Sequence, residues 1–182
     1  MNKRVCVIGA GPSGLPAIKN ISHVGIKVVA YDFNHDVGGN WIYNENESHS
    51  SVFETTHIIS SKTLSEFEDF HFDSNVSDYP SHDELRYYFQ SYAKHFKLYP
   101  LIEFNTLVKS CVRLRNNNWE VMTVKNKVEK TEIFTDLIVC NGHHWEPKLP
   151  TYKGRFDGDF LHSHQYKKSE PFRGKKVLVI GG

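Results

Sequence analysis

The chain has 182 residues, of which 39% are hydrophobic and 24% are charged, and its formal net charge is +1. This composition is typical of a globular protein with a substantial core, and the small net charge gives no reason to expect nucleic acid or a membrane surface as a partner. Glycines and a proline interrupt the first apolar run, which excludes a signal peptide or a membrane-spanning helix there.

The N-terminal segment carries the most informative pattern. A β-branched run over residues 3–8 leads into a Gly-x-Gly-x-x-Gly turn and then into a helix predicted over 13–24. In this spacing the first glycine allows a tight turn, the second lets the backbone approach a pyrophosphate, and the third lets the helix pack against the strand. The helix N-terminus then faces the anion. The turn consists of Gly9, Ala10, Gly11, Pro12, Ser13 and Gly14.

A second buried strand is predicted over 26–31, and Asp32 follows at its end. An acidic residue at this place binds the ribose hydroxyls of a dinucleotide. An aspartate after a strand can also be a simple turn residue. Because the glycine turn and the acidic residue occur together, the sequence predicts a dinucleotide-binding unit.

The next segment, over residues 33–80, is irregular and polar, and a connection this long inside a domain is usually functional. Ser81 and Glu84 then form a capping box that opens a helix. Its apolar residues recur along one face and are predicted to belong to the core rather than to a cofactor site. They are Leu85, Tyr88, Phe89, Tyr92 and Phe96.

Short strands are predicted over 101–104, 106–114, 119–126 and 131–139, with a turn at Asn116–Asn118. They indicate an antiparallel β-meander that returns to a final parallel strand near Leu137–Cys140. The predicted fold class is therefore α/β, a Rossmann-like three-layer dinucleotide-binding fold with an antiparallel meander.

The last residues, 174–182, repeat the pattern of the N-terminus: a basic lead-in, a β-branched run and two glycines. This pattern predicts the first strand of a second dinucleotide-binding unit. Such a strand needs a parallel partner and a covering helix. We therefore expect the chain to be a fragment of a longer protein.

Three further motifs resemble those of one family. The segment Phe156–Tyr166 has the pattern Phe-x-Gly-x-x-x-His-x-x-x-Tyr, which resembles the identifying motif of flavin-containing monooxygenases. Gly38-Gly39-Asn40-Trp41 resembles the family's flavin-contact segment, and Asn141-Gly142-His143 resembles its strand-end motif. The resemblance covers essentially the whole chain.

The resemblance implies FAD and NADPH as cofactors. In that family NADPH reduces FAD, O2 adds at flavin C4a, and the hydroperoxide passes one oxygen to an amine nitrogen or a sulfide sulfur. The flavin carries this chemistry, so no protein catalytic residue is assigned. Baeyer–Villiger monooxygenases of the related class carry Trp where this chain has Tyr166, which favours N- or S-oxidation and leaves a Baeyer–Villiger enzyme as the alternative.

The resemblance divides the chain into an FAD-binding domain over 1–172, incomplete without a C-terminal return segment, and the first strand of an NADPH-binding domain over 173–182. It gives His162 and Tyr166 a structural role in the linker between the two domains. The remaining partners implied are a small amine or sulfide and O2, with a homodimer also compatible. Neither nucleic acid nor a membrane segment is expected.

The resemblance also assigns cofactor contacts beyond the glycine turn and Asp32. Gly39, Asn40 and Trp41 would lie along FAD, Ser60 near the isoalloxazine, and the backbone of Val108 near the adenine. Trp41 could instead be a core residue and Ser60 an ordinary loop serine. Ile59 stands where family members carry an asparagine that faces the flavin and the nicotinamide, so this position lacks the family's hydrogen-bond donor.

Other classes fit less well. A flavin disulfide reductase needs a redox pair such as Cys-x-x-Cys, whereas Cys6, Cys111 and Cys140 are far apart in strand-like runs. Reduced, buried thiols of this kind predict a cytoplasmic protein. No spacing among the 11 histidines is completed by cysteine or carboxylate to resemble a zinc site, so no metal is predicted. An FAD-binding NADPH oxidase or a dinucleotide-binding module without oxygenation stays open.

Overall fold

A parallel sheet of four strands lies at the centre of the computed structural model, which describes residues 3–45, 50–144 and 146–181. Its strand order is β3 (Ile102–Glu103), β2 (Lys27–Tyr31), β1 (Arg4–Ile8) and β7 (Asp136–Val139). In the register, Ile8 lies beside Tyr31 on one side and beside Val139 on the other. The carboxyl ends of three strands therefore meet at one edge of the sheet.

A second sheet is antiparallel and consists of β4 (Leu107–Arg113), β5 (Trp119–Lys125) and β6 (Val128–Phe134). This is the predicted meander without its first predicted strand. The segment 101–104 was expected in the meander, but it supplies β3, which pairs in parallel with β2. The sequence prediction of one strand over 131–139 is wrong, because β6 and β7 belong to different sheets. The chain changes sheets at Thr135, whose N–H donates to the Arg4 carbonyl at 2.9 Å. No glycine or proline marks the change, so the pattern shows no break.

Two helices cover one face of the parallel sheet. These are α1 (Gly14–His23) and α3 (His82–His95), and the four-residue α2 (Lys62–Ser65) lies between them in the chain. The capping box at Ser81 and Glu84 is confirmed, as is the core role of the α3 stripe, although Phe96 is only partly buried. Short 3-10 turns lie at Gly39–Trp41, Tyr99–Leu101, Ser163–Gln165 and Glu170–Phe172.

The strands of the parallel sheet alternate between two cores. Val5 and Val7 face the helices, whereas Cys6 faces the second sheet, where it joins Tyr31, Val121 and Phe134. This is the two-residue period expected of a strand with both faces covered. Helices, parallel sheet and antiparallel sheet thus form the three predicted layers.

The irregular connection over 33–80 is packed by aromatic rings. Phe67, Phe70 and Phe72 contact Tyr88 of α3, and the ring centroids of Phe72 and Tyr88 are 4.0 Å apart. The Tyr88 hydroxyl donates to the Phe70 carbonyl and accepts from the Phe67 N–H. Much of the chain's aromatic content therefore serves packing.

Residues 177–180 are exposed and lie outside the strands of the described structure. The assignment of 173–182 to a second domain stays a prediction. Within the described ranges, no helix has the length and apolar character that a membrane crossing requires.

Candidate functional site

The glycine turn lies at the edge where β1, β2 and β7 end. Gly9 has a φ of 99°, and its N–H donates to the Tyr31 carbonyl at 2.8 Å. A Cβ on Gly9 would lie 2.3 Å from the Cys140 carbonyl oxygen, and one on Gly14 would lie 1.9 Å from the Gly9 oxygen. Only glycine fits either position, so the helix starts directly against the strand ends.

The first turn of α1 is suited to an anion. It carries no acidic side chain, and Ser13 at the N-cap makes no side-chain capping bond. The first N–H groups of a helix lack partners within it, and the helix dipole places partial positive charge there. A phosphate group at this N-terminus would receive those hydrogen bonds.

Asp32 is buried and ties the glycine turn to the end of β2. One carboxylate oxygen accepts from the Ala10 N–H at 2.6 Å, and the other accepts from the Asn34 N–H at 2.7 Å. The residue is only 6% exposed. Its carboxylate is therefore fixed at the sheet edge beside the turn, and its contact with a ribose stays a prediction.

A second pair of glycines packs against the first turn. The Gly38 N–H donates to the Ala10 carbonyl at 3.3 Å, and Gly38 has a φ of 124°. A Cβ on Gly11 would lie 3.3 Å from the Gly39 Cα, and one on Gly39 would lie 3.1 Å from the Gly11 Cα. The sequence analysis explained Gly11 only by the close approach of a pyrophosphate. The structure adds a second reason, the close packing of the Gly11 and Gly39 backbones.

Asn40 and Trp41 follow in the same turn and have different surroundings. The Asn40 side-chain oxygen accepts from the Ser51 N–H at 2.9 Å and from its hydroxyl at 3.1 Å. Trp41 is partly buried and packs against the helix-side core, as the core interpretation expected. Their contacts with a flavin stay predictions.

The remaining predicted positions are farther along the chain. Ile59 is 96% exposed, and the hydroxyl oxygens of Ser60 and Ser65 are 2.7 Å apart. Val108 lies in β4 beside a register shift and packs against the core between the two sheets. The structure thus brings the glycine turn, Asp32 and Gly39 together, whereas the roles of Ile59, Ser60 and Val108 beside a flavin stay predictions.

The segment that carries the Phe156–Tyr166 motif docks onto residues 50–54. His162 caps the 3-10 turn at Ser163–Gln165 and accepts from the His164 N–H. Tyr166 packs against Phe53 with ring centroids 5.3 Å apart. These contacts are structural, and the expected role of His162 and Tyr166 in a linker between two domains stays a prediction.

Lys167 extends this docking. Its amine donates to the carbonyls of Ser50 and Val52, and its own carbonyl accepts from the Glu54 N–H at 2.8 Å. Desolvation lowers the pKa of Lys167 below its ordinary value. The sequence analysis did not single out Lys167, although it directly follows the motif.

The thiols lie in the cores or at their margins. Burial raises the pKa of Cys6 to about 12 and also raises the pKa values of Cys111 and Cys140. A raised thiol pKa suppresses the thiolate, which is the reactive form. In the part of the chain that the structure describes, no cluster of three metal-ligating side chains occurs.

Comparison with known proteins matches this geometry. The model of a family described as flavin-binding monooxygenase-like matches residues 2–182. The chain belongs to this family of flavin-binding monooxygenase-like proteins. One relative is a human protein provisionally named N-oxide-forming dimethylaniline monooxygenase 6. It is 38% identical over 191 residues, which are 100% of this chain and 35% of that protein.

Solved structures agree with the fold. The S-allyl-L-cysteine S-oxygenase of Allium sativum superposes with a TM-score of 0.88 at 24% identity, over 94% of this chain and 44% of the other. Tmm from a Pelagibacter strain gives a TM-score of 0.84 at 28% identity with the same coverage. The chain thus spans about a third of the curated relative and under half of these structures.

The sequence predicted the glycine turn and Asp32 as parts of the site, but it did not predict Asp36. Its carboxylate accepts from the Val37 N–H at 2.8 Å, from Gln90 at 2.6 Å and from the Tyr99 hydroxyl at 3.0 Å. The only signal was an acidic residue shortly before a glycine pair, which by itself indicates an ordinary turn.

Proposed function

We propose that this chain is the FAD-binding part of a flavin- and NADPH-dependent monooxygenase that transfers oxygen to soft nucleophiles, namely amine nitrogens or sulfide sulfurs. The observation that carries the proposal is the glycine turn, closed by Asp32 and backed by Gly39 at the edge of the parallel sheet. Ligands of open α/β sheets bind at the carboxyl ends of the strands.

The residues fit a dinucleotide with a pyrophosphate. An acid-free helix start offers N–H donors to two phosphates, and the two glycine turns keep side chains away from it. Asp32 would accept hydrogen bonds from the ribose hydroxyls, and its bond with Ala10 holds it in place for that role. Asn40 and Trp41 would continue the contact along FAD. Ser60 would lie near the isoalloxazine, and the backbone of Val108 would lie near the adenine.

When bound, the flavin supplies the oxygen-transfer chemistry, and NADPH supplies the electrons. The described residues of the chain would bind and orient the cofactor rather than exchange protons with the substrate. A binding role fits the surroundings of the glycine turn, where the carboxylates of Asp32 and Asp36 accept hydrogen bonds from backbone N–H groups. It is also common among cofactor enzymes.

Nitrogen or sulfur as the oxygen acceptor is supported by the names of two similar proteins, one an N-oxide-forming monooxygenase and the other an S-oxygenase. Tyr166, where Baeyer–Villiger enzymes carry Trp, supports the same branch. The full-length protein is to be tested with NADPH, O2 and three matched substrates: a tertiary amine, a thioether and a cyclic ketone.

We expect NADPH-dependent products of the amine or thioether that contain one added oxygen atom, and no lactone from the ketone. Labelled oxygen gas must appear in the product, because the oxygen comes from O2. Lactone as the main product would establish the Baeyer–Villiger alternative instead. NADPH consumption that yields only hydrogen peroxide with all three substrates would contradict an oxygenase.

A further inference from the structure

Asp36 has three hydrogen-bond donors from three parts of the chain. The Val37 N–H is its chain neighbour, Gln90 belongs to α3, and Tyr99 lies in the 3-10 turn that leads into β3. The side chains of Asp36, Gln90 and Tyr99 are partly buried, and that of Val37 is fully buried. The carboxylate therefore fastens the chain after β2 to the helix layer and to the edge of the parallel sheet.

The residues fastened in this way are the ones that face the glycine turn. Gly38 is two residues after Asp36, and its N–H donates to Ala10. Gly39 lies against Gly11, and the Trp41 N–H then closes the 3-10 turn on the Gly38 carbonyl at 3.1 Å. The segment has positive φ values at both glycines, so its own backbone preferences do not hold it in place.

Burial and the hydrogen bond with Asp36 raise the pKa of Tyr99 to about 12, so the phenol stays protonated and donates at any physiological pH. An ionised carboxylate that receives a neutral amide, a phenol and a backbone N–H forms charge-assisted bonds, which are shorter and stronger than neutral ones. Asp36 is thus a strong anchor for an intrinsically permissive turn.

We propose that Asp36 is a positioning residue for FAD: its bonds to Gln90 and Tyr99 hold the Gly38–Trp41 turn against Gly11, and this fixes the backbone that borders the pyrophosphate. The inference rests on the proposed function, because FAD is the ligand proposed for the site. Asp36 itself needs no contact with the cofactor. It acts through the position of the glycine pair.

The test compares Asp36→Ala, Asp36→Asn and the exposed control Asp73→Ala, which removes the same charge from another loop. The first readout is hydrogen exchange of the Gly38 and Trp41 amides by NMR in the full-length protein without FAD. The second is the Kd for FAD, from titration followed by quenching of flavin fluorescence. Thermal unfolding monitors the global fold in each variant.

For Asp36→Ala we expect exchange at Gly38 and Trp41 at least tenfold faster, exchange within β1 changed less than twofold, and a Kd for FAD raised at least tenfold. Asp36→Asn should lie between the wild type and Asp36→Ala in both readouts, because it keeps the bonds but loses the charge that strengthens them. Its carbonyl still accepts from Val37 and Tyr99, and the Gln90 amide can turn its oxygen toward the new NH2 group. Asp73→Ala should match the wild type.

Unchanged exchange or an unchanged Kd in Asp36→Ala would overturn the proposal, and so would an Asp36→Asn variant as impaired as Asp36→Ala. If Asp36→Ala does not fold, Gln90→Leu and Tyr99→Phe each remove one bond and should shift both readouts in the same direction by a smaller factor; no shift in either would overturn the proposal. Full-length wild-type protein that binds no FAD contradicts the proposed function, whereas wild-type binding with an unaffected Asp36→Ala variant contradicts only this inference.

Discussion

Asp32 combines a structural and a proposed binding role in one carboxylate. It accepts from the N–H groups of Ala10 and Asn34 and so closes the glycine turn on the end of β2. The same group is the proposed acceptor for the ribose hydroxyls. A variant at this position therefore loses a ligand contact and the support of the turn together.

Asp32→Ala is expected to weaken FAD binding by tenfold to more than a hundredfold. Hydrogen bonds to charged groups contribute about 1.5–3 kcal/mol, and about 1.4 kcal/mol corresponds to a factor of ten in affinity. The measurement is the Kd for FAD in the wild type, in Asp32→Ala and in the exposed control Asp73→Ala. A Kd for Asp32→Ala equal to that of the control would show that Asp32 does not bind the ribose.

Among single residues, the sequence predicts those site residues whose positions follow from a short spacing along the chain. Gly9, Gly14 and Asp32 follow from one strand, one turn and the next strand, and the structure places them together. Asp36 and Lys167 act through partners 54 and 117 residues away, respectively, in Gln90 and Ser50. No local pattern records such a pairing, so sequence reasoning without an alignment passes over them.

The start of α1 is the element on which the site depends. Gly14 is its first residue, and a Cβ there would overlap the Gly9 carbonyl oxygen at 1.9 Å. The oxygen belongs to the backbone of the tight turn, so it cannot move away without opening that turn. Close packing of helix and strand is thus required for the geometry of the phosphate-binding N–H groups.

Gly14→Ala is expected to lower the free energy of unfolding by about 1–3 kcal/mol or more, the usual cost of forcing extra volume into a packed region. Gly25→Ala is the matched control: it has a φ of 75° but no atom within 4 Å of a new Cβ, so it adds only backbone strain. Urea unfolding of both variants measures the difference. Gly14→Ala as stable as Gly25→Ala would show that α1 does not start against the Gly9 carbonyl.

Element prediction succeeded where a polarity pattern or a cap marks the boundary. Ser81 and Glu84 define the start of α3 in the sequence and in the structure. The boundary between β6 and β7 was not predicted, because both strands are rich in β-branched residues. The chain changes sheets where Thr135 hydrogen-bonds with Arg4. Sheet membership is a tertiary property, and a run of strand-forming residues does not encode it.

For the molecule as a whole, Glu132 joins the two sheets. Its carboxylate accepts from the Tyr31 hydroxyl of β2 at 2.6 Å, from Arg4 of β1 at 2.7 Å and from Lys130 at 2.7 Å. Arg4 also lies over the Phe134 ring at 4.3 Å. One acidic side chain of the meander thus binds two strands of the parallel sheet, next to the strand end that carries Asp32.

The charge of Glu132 predicts a pH dependence of stability. Burial by itself raises the pKa of Glu132, but the bonds with Lys130, Tyr31 and Arg4 outweigh it and lower the pKa from 4.5 to about 2. Because the pKa is lower in the folded state, the stabilisation is complete above pH 4.5 and disappears as the pH falls toward 2.

Glu132→Gln should therefore lower the free energy of unfolding at pH 7 by about 1.5–3 kcal/mol, and its deficit relative to the wild type should shrink below pH 4.5. Urea unfolding between pH 7 and pH 3.5 measures this, with the exposed Glu68→Gln as the control for one lost negative charge. A deficit that stays constant across this range would contradict the ion-pair account.

The central claim is that the glycine turn of this chain binds FAD, and titration of the full-length protein with FAD tests it most directly. The matched variant is Gly11→Ala, whose new Cβ would lie 3.3 Å from the Gly39 Cα, so the two backbones must move apart slightly where they are proposed to border the pyrophosphate. We predict a yellow wild-type complex with one FAD per chain, and a Gly11→Ala variant that unfolds at nearly the same temperature but binds FAD at least tenfold more weakly. Full-length wild-type protein that binds no FAD, or a Gly11→Ala variant that binds it with equal affinity, would contradict the account.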